Sequence, residues 1–153
     1  MLFGLLGNRP LFRECVEALK ATLLSSETSN KIERLFKAMY PITEWGKIDW
    51  EKIEQKIEIG NDPNNIIPAL EQLLRDPLDK RVYIEWDNGG IPAIETNLDA
   101  IIASFDDVVC VSFEKFIFNP KVGYIIEIRA DFKMTVGLVK PSNTFEGFEN
   151  DRA

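Results

Sequence analysis

Residues 124–139 read YIIEIRADFKMTVGLV, and the fold turns on how they pair. Ile126, Ile128, Ala130, Met134, Val136 and Leu138 are apolar at alternate positions, with Glu127 and Arg129 between them. That two-residue period is the signature of a strand with a buried face. Two strands are therefore predicted, Tyr124 to Ala130 and Met134 to Val139. A loop of Asp131, Phe132 and Lys133 would set Ala130 opposite Met134, Ile128 opposite Val136 and Ile126 opposite Leu138, all on one face. A two-residue loop would put Arg129 opposite Met134 and mix the faces, a penalty the pleat repeats along the whole strand. The longer loop is the prediction.

Working upstream, Asn119 to Gly123 reads as a turn, and Phe116 to Phe118 as a strand that continues an apolar strand, Val108 to Phe113, past an irregularity at Glu114 and Lys115. Thr96 or Asn97 caps a short helix with Leu98, Ile101, Ile102 and Phe105 facing inward. Asp87 to Pro92 is a loop. Arg81 to Asp87 alternates Val82, Ile84 and Trp86 against Tyr83, Glu85 and Asp87, as a half-buried strand does.

Before Asp76 and Pro77 the period is helical. Leu11, Cys15, Leu19 and Leu23, with Phe12 and Val16 beside them, form one stripe on a helix from Leu11 to Leu24. A second helix starts near Thr28 or Ser29, buries Ile32, Leu35, Phe36 and Met39, and stops at Tyr40 and Pro41. Asp49, with Ile48 and Ile53 placed as a hydrophobic staple, predicts a third helix running to about Glu58. A fourth runs from Ile66 to Arg75, with Pro68 tolerated near its first turn. The expected fold class is α+β: one domain over 1–153, its helical N-terminal half (1–77) packed on an antiparallel sheet of about four strands with one short helix intervening (78–140), and a polar, frayed tail from residue 141.

A chain of 153 residues, 45% hydrophobic and 28% charged, can enclose a core without disulfides or metals. Cys15 and Cys110 each sit in apolar runs and read as buried thiols, which suits a reducing compartment. The apolar start Met1 to Leu6 lacks a basic flank and stops at Gly7 to Pro10, so it reads as a segment packed on the core, not a signal or a membrane span. A soluble protein is expected. The net charge is −7, and it is uneven: residues 1–76 carry ten Lys/Arg against twelve Asp/Glu, and the remainder eight against thirteen. An acidic second half argues against nucleic-acid binding and favours a basic partner, which it would steer.

The means for catalysis are sparse. With no histidine, the commonest general base, the Ser-His and Cys-His arrangements and the usual metal ligand are all missing. Asn88, Gly89 and Gly90 do not match a phosphate-binding loop. No catalytic residue, metal ligand or cofactor is assigned. The carboxylates instead read as solvated surface, and those of the acidic half are the candidates for contacting a partner: Glu85, Asp87, Asp106, Asp107, Glu114, Glu127 and Asp131. Phe105, Phe113, Phe116 and Phe118 read mostly as core, and Trp45 as packed between helices in preference to an interface anchor.

At Phe105 to Phe113 (FDDVVCVSF), Gly123 to Ile128 (GYIIEI) and Thr135 to Gly137 (TVG) the chain resembles bacterial immunity proteins of contact-dependent growth inhibition systems. The likeness runs roughly from Tyr83 to Val139; where such proteins tend to carry Asp and Trp after the Ser-Phe pair, this chain has Glu114, Lys115 and Phe116. The resemblance implies a cytoplasmic, non-enzymatic protein that binds and neutralises a cognate toxin domain, often a nuclease, without touching nucleic acid or membrane itself. It transfers no interface residues. The alternatives are a ligand-sensing or adaptor domain, marked by an apolar cavity with convergent polar groups, and a carboxylate-dependent enzyme, marked by a divalent metal.

Overall fold

A computed structural model describes residues 10–75, 77–87 and 90–140. The expected N-terminal packing segment, part of the loop after Asp87 and the frayed tail fall outside these residues.

Among the described residues five α-helices, α1 (Pro10–Leu19), α2 (Ser26–Met39), α3 (Ile66–Leu73), α4 (Leu98–Ala103) and α5 (Phe105–Val109), accompany seven strands: β1 (Thr22–Leu23), β2 (Gln55–Gly60), β3 (Arg81–Trp86), β4 (Ile94–Asn97), β5 (Lys115–Phe118), β6 (Tyr124–Ile128) and β7 (Met134–Leu138). The strands form one antiparallel sheet in the order β1-β4-β3-β5-β6-β7-β2. The α+β class is as read from the sequence, with seven strands in place of about four.

The β6–β7 hairpin pairs Ile128 with Met134, Ile126 with Val136 and Tyr124 with Leu138. Its loop keeps the expected three residues but begins one residue earlier, at Ala130, Asp131 and Phe132: the Arg129 N–H donates to Lys133 O (2.9 Å) and the Phe132 N–H to Arg129 O (2.8 Å). This slides the partners by two residues, so the faces stay as predicted. The third loop position of such a turn is left-handed, usually glycine. Here Phe132 occupies it at φ 69°.

The sheet is covered on both sides, and this changes the meaning of its polar residues. One face, with Val82, Ile84, Trp86, Ile117, Ile126 and Val136, packs against α1, α3, α4 and α5. The other, with Tyr83, Phe116, Phe118 and Ile125, packs beneath Ile32, Leu35 and Phe36 of α2 and beneath Tyr40, Ile48 and Ile53. All four residues of β5 and all five of β6 are buried. A strand buried on both faces reads as a continuous apolar run, as FIF and YII do.

Several elements depart from their sequence reading. The helix expected from Asp49 to Glu58 is a single 3-10 turn, Trp50–Lys52, whose Asp49 side chain makes no cap bond, followed by edge strand β2. Ile48 and Ile53 are both buried, but at the two ends of that short turn. Lys56, Ile57, Glu58 and Ile59 then alternate, and the β7 backbone supplies their ladder. The strand expected at Val108 is helix α5, because Phe105, Val108 and Val109 share a helical face toward the core. Helix α1 ends at Leu19, not near Leu24. Lys20 turns left-handed (φ 50°), the Ala21 N–H reaches back to Val16 O (3.1 Å) and the Lys20 N–H to Glu17 O (3.2 Å), a Schellman closure. Leu11 is half exposed, outside the buried stripe of Phe12, Cys15 and Leu19. Strands β1 and β4 were not foreseen.

Other signals hold. Ser25 caps α2 by accepting from the Thr28 N–H at 3.1 Å, slightly ahead of the expected start, and Tyr40 ends it. Asn97 caps α4 by accepting from Ala100 N–H at 2.9 Å. Asn119 organises the turn before β6: its amide nitrogen donates to Arg81 O (2.8 Å) and Asp79 O (3.3 Å), and its carbonyl accepts from Val122 N–H (2.8 Å).

Candidate protein-binding site

The antiparallel register brings the end of β3, the start of β5, the end of β6 and the start of β7 together at one end of the strands, the terminal edge of the sheet as distinct from its lateral edges β1 and β2. Most of the candidate carboxylates gather there. Asp87 leaves β3 exposed and accepts from the Glu114 N–H at 3.2 Å. Glu114 is largely covered and pairs with Lys47 at 2.9 Å. Asp131 tops the β6–β7 turn, 3.9 Å from the Arg129 guanidinium. Asp106 and Asp107 stand in the first turn of α5, the former exposed and the latter half-buried.

Two grooves run beside these groups. The larger, about 730 Å³, lies between Asp87, Val109 to Phe113, and Phe132. The second, about 450 Å³, is bordered by Asn61, Pro63, Ala103, Asp106, Asp107 and the same Phe132. Val109 and Phe132 border both, so the two adjoin each other beside the hairpin tip.

Glu85 and Glu127 do not reach this surface. Both point to the face covered by α2 and the segment after it. Glu127 is 4% exposed, receives the Trp50 Nε1–H at 3.1 Å and lies 3.8 Å from Arg129. Burial raises its pKa, and the Trp50 hydrogen bond opposes that rise. Glu85 is half-buried, its Oε2 has no hydrogen-bond partner among the described residues, and burial, then the nearby Glu33, push its pKa up to about 8. The sequence placed both on a solvent face because the second layer of cover was not visible in the strand pattern. A proton-bearing or internally bonded carboxyl beneath a helix is one that the fold itself engages.

Lys115, fully buried in β5, lies close to the same edge and donates weakly to Phe113 O at 3.4 Å. Burial lowers its pKa to about 8, while Asp87, Cys110 and Glu114 act to hold its proton. Lys47, paired to Glu114, has its pKa raised by that bond and charge. Asp87, Asp106 and Asp107 enter no ion pair among the described residues. Asp87 still acts through space on Lys115 and Lys47.

The aromatic side chains at this end overturn the sequence reading. Trp45 is 80% exposed and Phe113 79%. Trp45 sits at the tip of a tight turn in which Thr43 N–H donates to Lys47 O at 2.7 Å, Ile42 bridges Ile48 and Gly46 takes φ 81°. The Lys47–Glu114 ion pair ties this turn to the residue that follows Phe113. The signal for exposure was the Trp45-Gly46 pair set between the charged Glu44 and Lys47, the pattern of a solvated turn tip. Cys110 is exposed beside the larger groove, contrary to the buried thiol expected, whereas Cys15 is buried and its pKa is pushed up to about 12.

Among the described residues no group of three or more His, Cys, Asp or Glu side chains could hold a metal ion, and no helix is long and apolar enough to cross a membrane. What this end offers is shape, negative charge and exposed apolar surface. No curated protein matches the chain. Residues 9–137 match the family described as CdiI immunity protein EcoliA0-like, a span that takes in every strand and helix above but for the last residue of β7. The chain belongs to that immunity protein family.

Proposed function

We propose that this immunity protein neutralises its cognate toxin domain in the cytoplasm by presenting the acidic sheet edge to a basic surface, and that the toxin is a nuclease. The observation that carries the reading is that Asp87 lines one groove and Asp106 and Asp107 the adjoining one, none of them in an ion pair among the described residues, in a chain of net charge −7. A nuclease must hold phosphates with Lys and Arg, so carboxylates can compete for the same groove. Blocking it needs complementarity and no bond made or broken, which fits a chain without histidine. Asp131 and Glu114 contribute to the same field, partly neutralised by Arg129 and Lys47. Glu85 and Glu127 are left out because they are covered.

The test is co-expression with the C-terminal domain of the reading frame directly upstream, followed by assay of that domain on tRNA and DNA, alone and with the purified chain. Protection of growth and loss of cleavage are expected. Reversing Asp87, Asp106 and Asp107 together to Lys should slow association and flatten its salt dependence. Unchanged association across salt would refute the electrostatic reading, and an upstream domain that cuts no nucleic acid would refute the nuclease assignment.

A further inference from the structure

Charge accounts for steering and leaves three large apolar side chains unexplained at the same edge. Trp45 and Phe113 are about four-fifths exposed and Phe132 about half exposed. A fold has no reason to hold such groups in water. Burying one large apolar side chain is worth roughly 1.5–3 kcal/mol, and the fold forgoes most of it at Trp45 and Phe113. Phe132 is the sharper case. It holds the left-handed position of the β6–β7 turn at φ 69°, where a bulky side chain is disfavoured and glycine is the ordinary choice. Backbone strain retained at an exposed aromatic points to use of that side chain.

We propose that Trp45, Phe113 and Phe132 are the apolar anchors of the toxin contact, closing on a protruding toxin segment that places an aliphatic or aromatic side chain in the groove and Lys or Arg on either side. This rests on the immunity reading above. The choice of occupant follows from the surroundings. Phe113 and Phe132 line the larger groove together with Cys110, Val111 and the exposed Asp87. Asp106 and Asp107 line the adjoining groove, which shares Phe132. An apolar centre with an acidic rim selects an apolar tip with basic flanks. A second copy of this chain would bring its own acidic rim against this one and be repelled. Trp and Tyr, with Arg, dominate the few residues that carry binding energy at such contacts, and a surrounding polar ring excludes water from them.

The test uses the whole chain and the C-terminal domain of the reading frame directly upstream. W45A, F113A and F132G should each weaken binding about tenfold or more, chiefly by faster dissociation, with association and its salt dependence unchanged. Charge reversal at Asp87, Asp106 and Asp107 should do the opposite. F132G is the decisive variant, since glycine relieves the turn: its melting temperature should be no lower than that of the unaltered chain while its affinity falls. A bulky maleimide on Cys110 should block binding, and C110A treated identically should retain it. L23A, an exposed apolar residue of edge strand β1, should bind normally. The proposal fails if the anchor variants bind like the unaltered chain. It fails equally if the chain is a dimer that F113A splits, for then the occupant is a second copy. If the unaltered chain neither binds nor protects against the upstream domain, the immunity reading itself is wrong for that toxin and the anchor proposal falls with it.

Discussion

Gly137 of β7 lies beneath the Trp50 ring, and replacing it by alanine tests how the second face of the sheet is locked. A Cβ built there would stand 2.6 Å from Trp50 Cζ3 and 3.3 Å from Ile53 Cγ2. Carbon atoms settle at about 3.5–4.0 Å, so the ring must retreat by roughly 1 Å. The same ring donates its Nε1–H to Glu127 at 3.1 Å, and a retreat of that size takes the bond past the limit of useful geometry. Overpacking costs about 1–3 kcal/mol. Loss of a hydrogen bond to a buried carboxylate adds about 1.5–3 kcal/mol. Alanine in a strand returns about 0.5–1 kcal/mol of backbone entropy. The expected net loss is about 3 kcal/mol, or roughly 6–12 °C in melting temperature for a chain of this size. Thermal and urea unfolding followed by circular dichroism would measure it. The mechanism also predicts a coupling: in a W50A background, with the ring gone, G137A should cost less than about 0.5 kcal/mol. Equal costs in both backgrounds, or a melting temperature within two degrees of the unaltered chain, would refute the account.

Two further outcomes follow from buried polar groups. Glu85 titrates near 8 in the fold and near its ordinary value when unfolded, so the folded chain binds the extra proton and stability falls as pH rises from about 4.5 to 8. E85Q removes that dependence; its advantage in melting temperature over the unaltered chain should grow across this window and level off above pH 8, and a constant difference would contradict the assignment. N119A removes three hydrogen bonds inside a residue that is 2% exposed, and should cost about 2–4 kcal/mol in urea unfolding. N119D should be no better, because its second oxygen faces the Asp79 and Arg81 carbonyls; recovery of stability in N119D would show that the amide donor is dispensable.

Which parts of the fold were legible follows from where the side chains point. Helix α2, strand β3 and the β6–β7 hairpin each show a clean period, and each was placed within a few residues. The run FDDVVCVSF was not decidable by periodicity, since a short apolar stretch suits a buried helix turn as well as a strand. Its first half packs as α5, and its last residue stands in water. The stretch from Trp50 to Gly60 carried two competing patterns, a helix-start signal at Asp49 and an alternation at Lys56 to Ile59. The free edge of β7 decided in favour of the alternation. The candidate site divided on the same ground. Asp87, Asp106 and Asp131 are exposed as read, while Glu85 and Glu127 belong to a face whose cover, α2 and the turn after it, is contributed from far away in sequence. No local pattern reports that.

The strand order has a consequence for how the molecule comes into being. Both outermost strands, β1 and β2, belong to the first 60 residues, and every strand between them is made later. Gln55 waits for Leu138, so the early segment cannot finish its own ladder and the later hairpin stays open on one side until the two ends of the chain clasp. Ring closures of this span come late and make assembly slow for so small a molecule. A nascent chain that has not yet emerged past residue 138 therefore holds β2 without its partner and a sheet that is still open on that side.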